Sequence, residues 1–258
     1  MHSGLLDSPF DDIANMTPQK SHGAYELKFL IDDSQAGKIV GWARVNLQPD
    51  PHFDPEFGDG YRVNNLYLDT ADFDVFHRTT GFRQQKFRLR RYGCESGVWF
   101  EQKCNRNGFV RKRRTSVDES DISNRLVNGS DVEWCGHWFR RKIGHHQLRP
   151  VSQIAYQRFA RIGANDEGPI RLTIDDNLTA RLAQGWQVPA GLMEGIPLLE
   201  GQRVLELKFR GALPVAFRRL IENHQLRLTP FSKYRTSVEE CVPLDCLAGD
   251  DIRGFDDA

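Results

Sequence analysis

Charged side chains occupy every second position in five short stretches of this chain, with large apolar residues between them. Successive side chains of a β-strand point to opposite faces, so each stretch would place its charges on one face. Because five strands repeat this pattern, the sequence predicts a single charged concave surface, and the function is expected there. The five stretches are Glu26–Lys28, Arg88–Arg90, Glu101–Lys103, Arg171–Asp175 and Glu206–Phe209.

The net charge is zero, but positive and negative residues are distributed unevenly along the chain. Residues 1–77 contain five Lys or Arg and thirteen Asp or Glu, whereas residues 78–114 contain twelve Lys or Arg and two Glu. A surplus of ten positive charges in the second segment is unfavourable unless an anion binds there or the acidic segment lies alongside. Both explanations remain open from composition alone.

Composition excludes several classes of protein. Hydrophobic residues make up 39% of the 258, which is enough for a core, and no apolar run approaches the roughly 20 residues of a membrane-spanning helix. The N-terminus lacks a signal-peptide pattern, and the five cysteines form no CxxC pair, so a cytoplasmic location is expected without disulfides or structural zinc. Zero net charge without interleaved aromatic residues argues against nucleic-acid binding.

The periodicity predicts many strands and few helices, without βαβ alternation. The first strand is expected over Ala24–Ile31 and the last before the tail over Arg203–Phe209, with a turn at Asn105–Gly108 and a short strand suggested at 187–189. The clearest helices are expected after an N-cap at Asp33 or Ser34 as far as Leu47, over Pro214–Gln225 and over Lys233–Cys241, with a shorter one over 120–127. We therefore predict an α+β fold in which a closed antiparallel β-barrel turns its charged face inward and has helices packed outside. Residues 1–22 and 244–258 are expected to be flexible acidic tails around one domain, 23–243.

Eight motifs occur in the order of a known family, spanning about residues 24–240. The motifs are Glu26–Lys28, Leu66–Thr70, Phe87–Gly93, Phe100–Lys103, Tyr156–Arg158, Arg171–Asp175, Val204–Lys208 and Pro230–Tyr234. With these motifs the sequence resembles the VTC domain, the catalytic domain of the vacuolar transporter chaperone polyphosphate polymerase, within the triphosphate tunnel metalloenzyme or CYTH-like superfamily.

The resemblance implies a closed β-tunnel that binds a triphosphate or polyphosphate together with a divalent metal, Mn²⁺ or Mg²⁺. It implies that Glu206 holds the metal, and that Tyr156 and Ser232 contact the substrate. Strand alternation adds Lys208, and in the basic run 111–114 it favours Arg111 and Arg113 as further substrate contacts. The implied catalytic cations are Lys28, Arg88, Arg90, Lys103, Arg158, Arg171 and Lys233.

Two departures from related families bear on the activity. CYTH triphosphatases carry a Glu-x-Glu-x-Lys signature, but Ala24 stands at the first of these positions, which favours the polymerase branch over hydrolysis. The eukaryotic polymerase subunits also have an inositol-phosphate-sensing domain and membrane helices, and the sequence has room for neither. A separate membrane or regulatory partner is therefore left open, with no membrane segment expected in this chain.

The carboxylates of the predicted lumen have different expected roles. Glu26 and Glu101 are expected to form salt bridges with the cations, whereas Asp69 is expected to cap a strand end. For Asp175 the sequence leaves two roles equally open, orienting an Arg or assisting the metal. No persuasive Asp–His or Ser–His pair suggests a general base, and a phosphate acceptor that is already anionic would not need one.

The function predicted from the sequence is that of a metal-dependent polyphosphate polymerase. It would transfer the terminal phosphate of ATP onto a growing polyphosphate chain inside a basic tunnel. Two alternatives remain open: a tunnel triphosphatase that hydrolyses inorganic or nucleoside triphosphate, and a non-catalytic polyphosphate-binding domain. The expected partners are ATP and polyphosphate, without nucleic acid.

Overall fold

Ten strands run through the described part of the chain, which in this computed structural model comprises residues 24–52, 54, 57–93, 95–106 and 109–247. The described residues do not include the predicted N-terminal tail, part of the Asn105–Gly108 turn, or residues 248–258. The strands are β1 Ala24–Ile31, β2 Gln48–Pro49, β3 Gly60–Asp69, β4 Gln85–Tyr92, β5 Gly97–Arg106, β6 Phe109–Asp118, β7 Arg149–Asn165, β8 Gly168–Leu182, β9 Ile196–Pro197 and β10 Arg203–Phe209.

Six α-helices and one π-helical turn connect these strands within the described residues. The π-helical turn spans Ile122–Val127, where the sequence predicted an ordinary helix over 120–127. The helices are α1 Asp33–Asn46, α2 Asp74–His77, α3 His137–His146, α4 Val215–Asn223, α5 Lys233–Cys241 and α6 Leu244–Leu247. The last of these includes the first residues of the predicted C-terminal tail. No helix of the described residues has both the length and the hydropathy that crossing a membrane requires.

Eight of the strands close into an antiparallel barrel, as the sequence predicted. The order around the barrel is β7–β3–β4–β5–β6–β1–β10–β8, and β8 pairs back with β7 over thirteen register positions. The two short strands are additions at the margin, β2 on β7 and β9 on β8. Closure gives every barrel strand a neighbour on each side, although β1 and β6 pair only at Ala24–Val110 and Tyr25–Phe109. One face of all eight strands is therefore turned inward.

Apolar side chains cover the outside of this barrel and form its core with the helices. On one side, Phe29 of β1 and Leu207 of β10 pack with Ile39 of α1 and Phe217 of α4, all at most 1% exposed. On the other side, Phe100 of β5 stacks on Phe139 of α3 with ring centroids 5.0 Å apart. The helices therefore bury the apolar face that strand alternation assigns to the exterior.

Helix α1 begins one residue earlier than predicted because Asp32, and not Asp33 or Ser34, is its N-cap. The Asp32 carboxylate accepts a hydrogen bond from the Gln35 backbone N–H at 2.8 Å. The Gln35 side-chain oxygen in turn accepts from the Asp32 N–H at 3.2 Å. This reciprocal capping box satisfies two amides that a helix start otherwise leaves without partners.

Other predicted boundaries agree with the structure or differ for local reasons. Strands β1 and β10 and helix α5 have the predicted limits, whereas the strand suggested at 187–189 is absent and a two-residue strand at 196–197 pairs with β8 instead. The Asp69 carboxylate accepts from the backbone N–H groups of Thr70, Val75 and Phe76, which confirms its role as a strand-end cap.

Candidate functional site: a cationic tunnel

The barrel lumen is lined by side chains that alternate along β4, β5, β1, β10, β8 and β7. Cross-strand neighbours place Arg88 beside Glu101, Lys28 beside Glu206, and Arg158 beside Asp175. Directly opposed residues of an antiparallel pair point to the same face, so these three pairs lie on one common surface. The lumen therefore brings together charged residues that are far apart in the sequence, as Lys28 and Glu206 are.

Glu101 is the centre of an arginine-rich section of this lumen. Its carboxylate, 0% exposed, is 2.6 Å from Arg88 Nε and 3.9 Å from Arg90 Nε, and it also pairs with Lys112. Burial alone would raise the pKa of Glu101, but Arg88, Lys112 and Arg90 hold it well below its usual range. The predicted salt-bridge role of Glu101 is confirmed, and it holds the two arginines extended.

Asp175 organises a second section together with the first residue of helix α5. Arg158 donates to both Asp175 oxygens, at 2.6 and 2.7 Å, in a bidentate pair. Lys233 Nζ lies 2.7 Å from Asp175 Oδ2 and 3.3 Å from Glu206 Oε1. With both oxygens engaged by cations, Asp175 orients Arg158 and Lys233, which is one of the two roles that the sequence left open.

Glu26 and Glu206 flank a cluster of three lysines. Lys28 Nζ lies 3.3 Å from Glu26 and 3.4 Å from Glu206, and Lys208 Nζ lies 3.4 and 3.6 Å from the same two carboxylates. Lys103 Nζ is 2.9 Å from Glu26, which confirms the predicted salt-bridge role of Glu26. Burial opposes ionisation of Glu206, but Lys28, Lys233 and Lys208 keep its pKa well below the usual range.

Tyrosine hydroxyls form a third group of lumen contacts, and only Tyr156 among them was predicted. Arg88 donates to the Tyr67 hydroxyl at 3.0 Å, Arg90 to those of Tyr92 and Tyr156 at 3.1 and 3.2 Å, and Arg171 to that of Tyr61 at 2.8 Å. The alternation of Tyr61, Asn65 and Tyr67 along β3 is a signal in the sequence that could have identified them.

Tyr92 is expected to ionise near pH 6. Burial favours its neutral phenol, but Arg90 and Lys112 outweigh burial and lower the pKa of Tyr92 to about 6. The phenolate would thus contribute stability that is absent below that pH and grows until the unfolded chain also ionises, at about pH 10.

An absorbance titration measures this directly. The wild-type protein should gain the near-ultraviolet absorbance of one tyrosinate near pH 6, Tyr92→Phe should lack this step, and added tripolyphosphate should shift it upward by competing for Arg90. If every tyrosine of the wild type ionises only in the ordinary range near about pH 10, the expectation is wrong.

Lys86 is a lumen cation that the sequence prediction missed. It lies two residues before Arg88 on β4, and its ammonium donates to the Ser232 hydroxyl at 2.7 Å. No carboxylate of the described residues lies within 4 Å of it; burial first, and then Lys28 and Lys103, push its pKa well below the usual range. An anion bound beside Lys86 and Ser232 would relieve this repulsion.

The prediction that Arg111 and Arg113 of β6 face the lumen is wrong. Arg111 and Arg113 are exposed on the outside of the barrel, where Arg113 lies 4.3 Å from the Trp138 ring centroid. Lys112 and Arg114 face the lumen instead, because the register places them opposite Lys103 and Glu101. Four consecutive basic residues fit either alternation, so only the pairing of β6 with β5 decides which two face inward.

The remaining predicted site residues all reach the lumen, and positive charge is in excess there. Among the described residues, eleven cations face five carboxylates. The cations are Lys28, Lys86, Arg88, Arg90, Lys103, Lys112, Arg114, Arg158, Arg171, Lys208 and Lys233, and the carboxylates are Glu26, Asp50, Glu101, Asp175 and Glu206. Such a lumen can replace the hydration of a polyanion with fixed donors.

The donor set of the lumen also fits a hard divalent cation. No group of three or more His, Cys, Asp or Glu side chains within the described residues is arranged to hold a metal. Glu206 is nevertheless within reach of a phosphate bound by Lys28 and Lys233. Mg²⁺ and similar ions commonly bind through one or two carboxylates, with substrate phosphates and water completing the shell.

Comparison with solved structures supports the fold. A “putative adenylate cyclase” from Bacillus halodurans is 13% identical, with a TM-score of 0.52, and the match covers 85% of this chain and 97% of that one. A “putative adenylyl cyclase” from Hippeastrum, described as having a dominant triphosphatase activity, is also 13% identical, with a TM-score of 0.50 and the same coverage. At this identity the similarity shows the tunnel fold alone.

Comparison of the sequence with protein families is more specific. No curated protein matches this chain. The VTC domain family matches residues 23–242, which include every strand of the barrel and every lumen residue named above. Since this match covers most of the 258 residues, the chain belongs to the VTC domain family.

Proposed function

We propose that this protein is a metal-dependent polyphosphate polymerase that transfers the terminal phosphate of ATP onto a growing polyphosphate chain. The observation that carries the proposal is the enclosed lumen in which eleven cations face five carboxylates of the described residues. A phosphate chain carries about one negative charge per unit, and burying it is costly unless cations replace its water. Each charge-assisted contact inside the barrel would contribute about 1.5–3 kcal/mol.

The chain's own residues act mainly by positioning and neutralising the reacting phosphates. Arg88, Arg90 and Arg158 present forked donors, whereas Lys28 and Lys233 place point charges beside Glu206. A terminal oxygen of the acceptor chain attacks the γ-phosphorus of ATP, and the bond from that phosphorus to the β–γ bridging oxygen breaks, which releases ADP. Because the attacking oxygen is already anionic and the bridging oxygen leaves as an anion of ADP, no general base is needed.

Glu206 is proposed to hold the divalent metal, Mn²⁺ or Mg²⁺. Such an ion would neutralise charge on the β- and γ-phosphates during transfer. The lysines beside Glu206 would share the same phosphate oxygens, since Lys28 and Lys233 both approach Oε1 of this carboxylate. Ser232 would contact phosphate together with Lys86, to which it is already hydrogen-bonded.

A tunnel triphosphatase is the second candidate, and one feature of the lumen favours it. Glu26 and Glu206 approach the same two lysines, so two carboxylates could hold a metal and aim a water at a triphosphate. The Hippeastrum protein with the same fold is described as a triphosphatase. Ala24 weighs against hydrolysis, because it replaces the first carboxylate of the signature that the triphosphatases carry.

Product analysis separates these candidates. The purified chain is incubated with γ-labelled ATP and Mn²⁺, and the phosphate species are separated by gel electrophoresis. Long labelled chains with stoichiometric ADP are the expected result. If orthophosphate forms without chains, the protein is the triphosphatase and not the polymerase. If polyphosphate binds tightly without any turnover, the protein is a non-catalytic binding domain.

A further inference from the structure

Three long stretches of the sequence contain no acidic residue, and the fold brings them together on one side of the barrel. They are residues 75–94, 102–117 and 134–165. They supply β4, half of β5, most of β6, helix α3 and all of β7. Seven of their Lys and Arg residues face the lumen, which leaves the others for the outer surface. Among the others, Arg91 pairs with Glu119 and Arg161 with Asp59, whereas the remaining exterior cations have no acidic residue interspersed within their own stretches.

Five of the exterior cations lie along β6, α3 and the turn before β4. Arg111 and Arg113 alternate on the outer face of β6, and Arg113 lies 4.3 Å from the centroid of Trp138 of α3. Arg141 follows one helical turn after Trp138, and Lys142 is its neighbour. At the end of α3 the His146 ring packs 5.0 Å from Phe82, the residue before Arg83. The exterior basic strip is therefore Arg111, Arg113, Arg141, Lys142 and Arg83.

The exterior basic strip has no ionic partner within the described residues. None of its five side chains forms an ion pair with a described carboxylate, in contrast to lumen cations such as Arg88, Arg158 and Lys233. Four of the five are exposed and Lys142 is half-buried. Exposed cationic side chains without carboxylate partners favour an anionic partner that runs along them.

We propose that the exterior basic strip binds a linear polyphosphate outside the tunnel, as a second site for chains longer than the lumen can hold. This inference rests on the proposed function, because it assigns the partner by the product of the tunnel. A flexible chain of phosphates without bases suits a strip whose one large aromatic ring, Trp138, is already covered by Arg113. The indole N–H of Trp138 is also occupied, because it donates to the Thr115 hydroxyl at 2.8 Å.

Strand β6 links the two sites physically. Lys112 and Arg114 point into the lumen while Arg111 and Arg113 point outward from the same four residues. A polyphosphate chain leaving the barrel would thus be held close to the tunnel by a second set of cations. Binding at two linked sites raises the effective concentration of a long chain at each of them, whereas a short chain gains nothing.

The test compares short and long chains on a strip variant and a matched control. The strip variant is Arg111→Gln, Arg113→Gln, Arg141→Gln and Lys142→Gln. The control changes one Lys and three Arg that are exposed elsewhere, Lys38→Gln, Arg218→Gln, Arg219→Gln and Arg227→Gln. Affinities for tripolyphosphate and for long-chain polyphosphate are measured by calorimetry, and circular dichroism checks that each variant is folded.

The strip variant should bind tripolyphosphate like the wild type but bind long chains at least about tenfold more weakly, with a smaller salt dependence. The control should bind both like the wild type. A charge-conserving variant, Arg111→Lys with Arg113→Lys and Arg141→Lys, should retain most long-chain binding, which separates the effect of charge from damage to the packing on Trp138.

Two outcomes overturn the inference. One is unchanged long-chain affinity in the strip variant, and the other is a loss that appears only with phosphatidylserine vesicles or RNA, which would assign the strip to a membrane or nucleic acid. If wild-type protein binds neither tripolyphosphate nor ATP while the strip still binds long chains, the proposed function fails and the second site stands.

Discussion

Replacing Glu206 with Gln is expected to reduce metal-dependent turnover by about 10²–10³-fold while the protein stays folded. The amide keeps the volume of the carboxylate but removes the charge that a hard divalent cation requires. The fold should survive because each lysine beside Glu206 has a second carboxylate. Lys28 and Lys208 contact Glu26, and Lys233 contacts Asp175.

Metal titrations of turnover and of binding give the readout. Glu206→Gln should require far more Mn²⁺ for half-maximal activity, whereas Glu26→Gln removes a carboxylate of the same cluster and should change this concentration much less. If Glu26→Gln loses as much activity as Glu206→Gln, both carboxylates hold the metal, as the triphosphatase candidate requires. Unchanged metal dependence in Glu206→Gln would place the metal elsewhere.

Replacing Arg88 and Arg90 together with Ala is expected to shorten or abolish the polymer. Two charge-assisted contacts to phosphate, each of about 1.5–3 kcal/mol, are removed from the enclosed lumen. Their loss corresponds to about 10²–10⁴-fold in chain elongation. Glu101 would retain Lys112 as its partner, and the repulsion between the two arginines disappears, so thermal stability should change little.

The matched control keeps the charge and removes only the forked geometry. Arg88→Lys with Arg90→Lys should bind polyphosphate but elongate it poorly, because an ammonium cannot donate two parallel hydrogen bonds to a phosphate. Product length on a gel and thermal unfolding of both double variants are compared with the wild type. If the Ala variant makes chains of wild-type length, these arginines do not take part in elongation.

Strand alternation allowed much of the lumen to be predicted from the sequence. The side chains of Arg88 and Arg90, or of Glu206 and Lys208, must share a face wherever the strand lies, because the period of a strand is two. The apolar residues between them then require a covered exterior, which predicts a barrel with helices outside. The ordered motifs pointed to Glu206, the proposed metal carboxylate, and to Lys233, which no alternation could connect with β10.

The sequence could not reveal which charges become partners. Glu101 pairs with Lys112 and Glu206 with Lys233 because β-pairing and the start of α5 bring them together, and no local spacing encodes those contacts. Tyr92 shows this dependence in part, since its lowered pKa arises from Arg90, two residues before it on β4, and from Lys112 of β6. Long-range electrostatics of this kind exist only after the barrel has closed.

The basic run of β6 shows both what the sequence determines and what only the tertiary structure decides. Residues 111–114 are all Arg or Lys, so the sequence by itself determined that this strand carries positive charge on both faces. Which pair lines the tunnel was decided by hydrogen-bond register, with Lys112 opposite Lys103 and Arg114 opposite Glu101. A shift of one residue would exchange the two faces, and only the tertiary pairing of neighbouring strands fixes that choice.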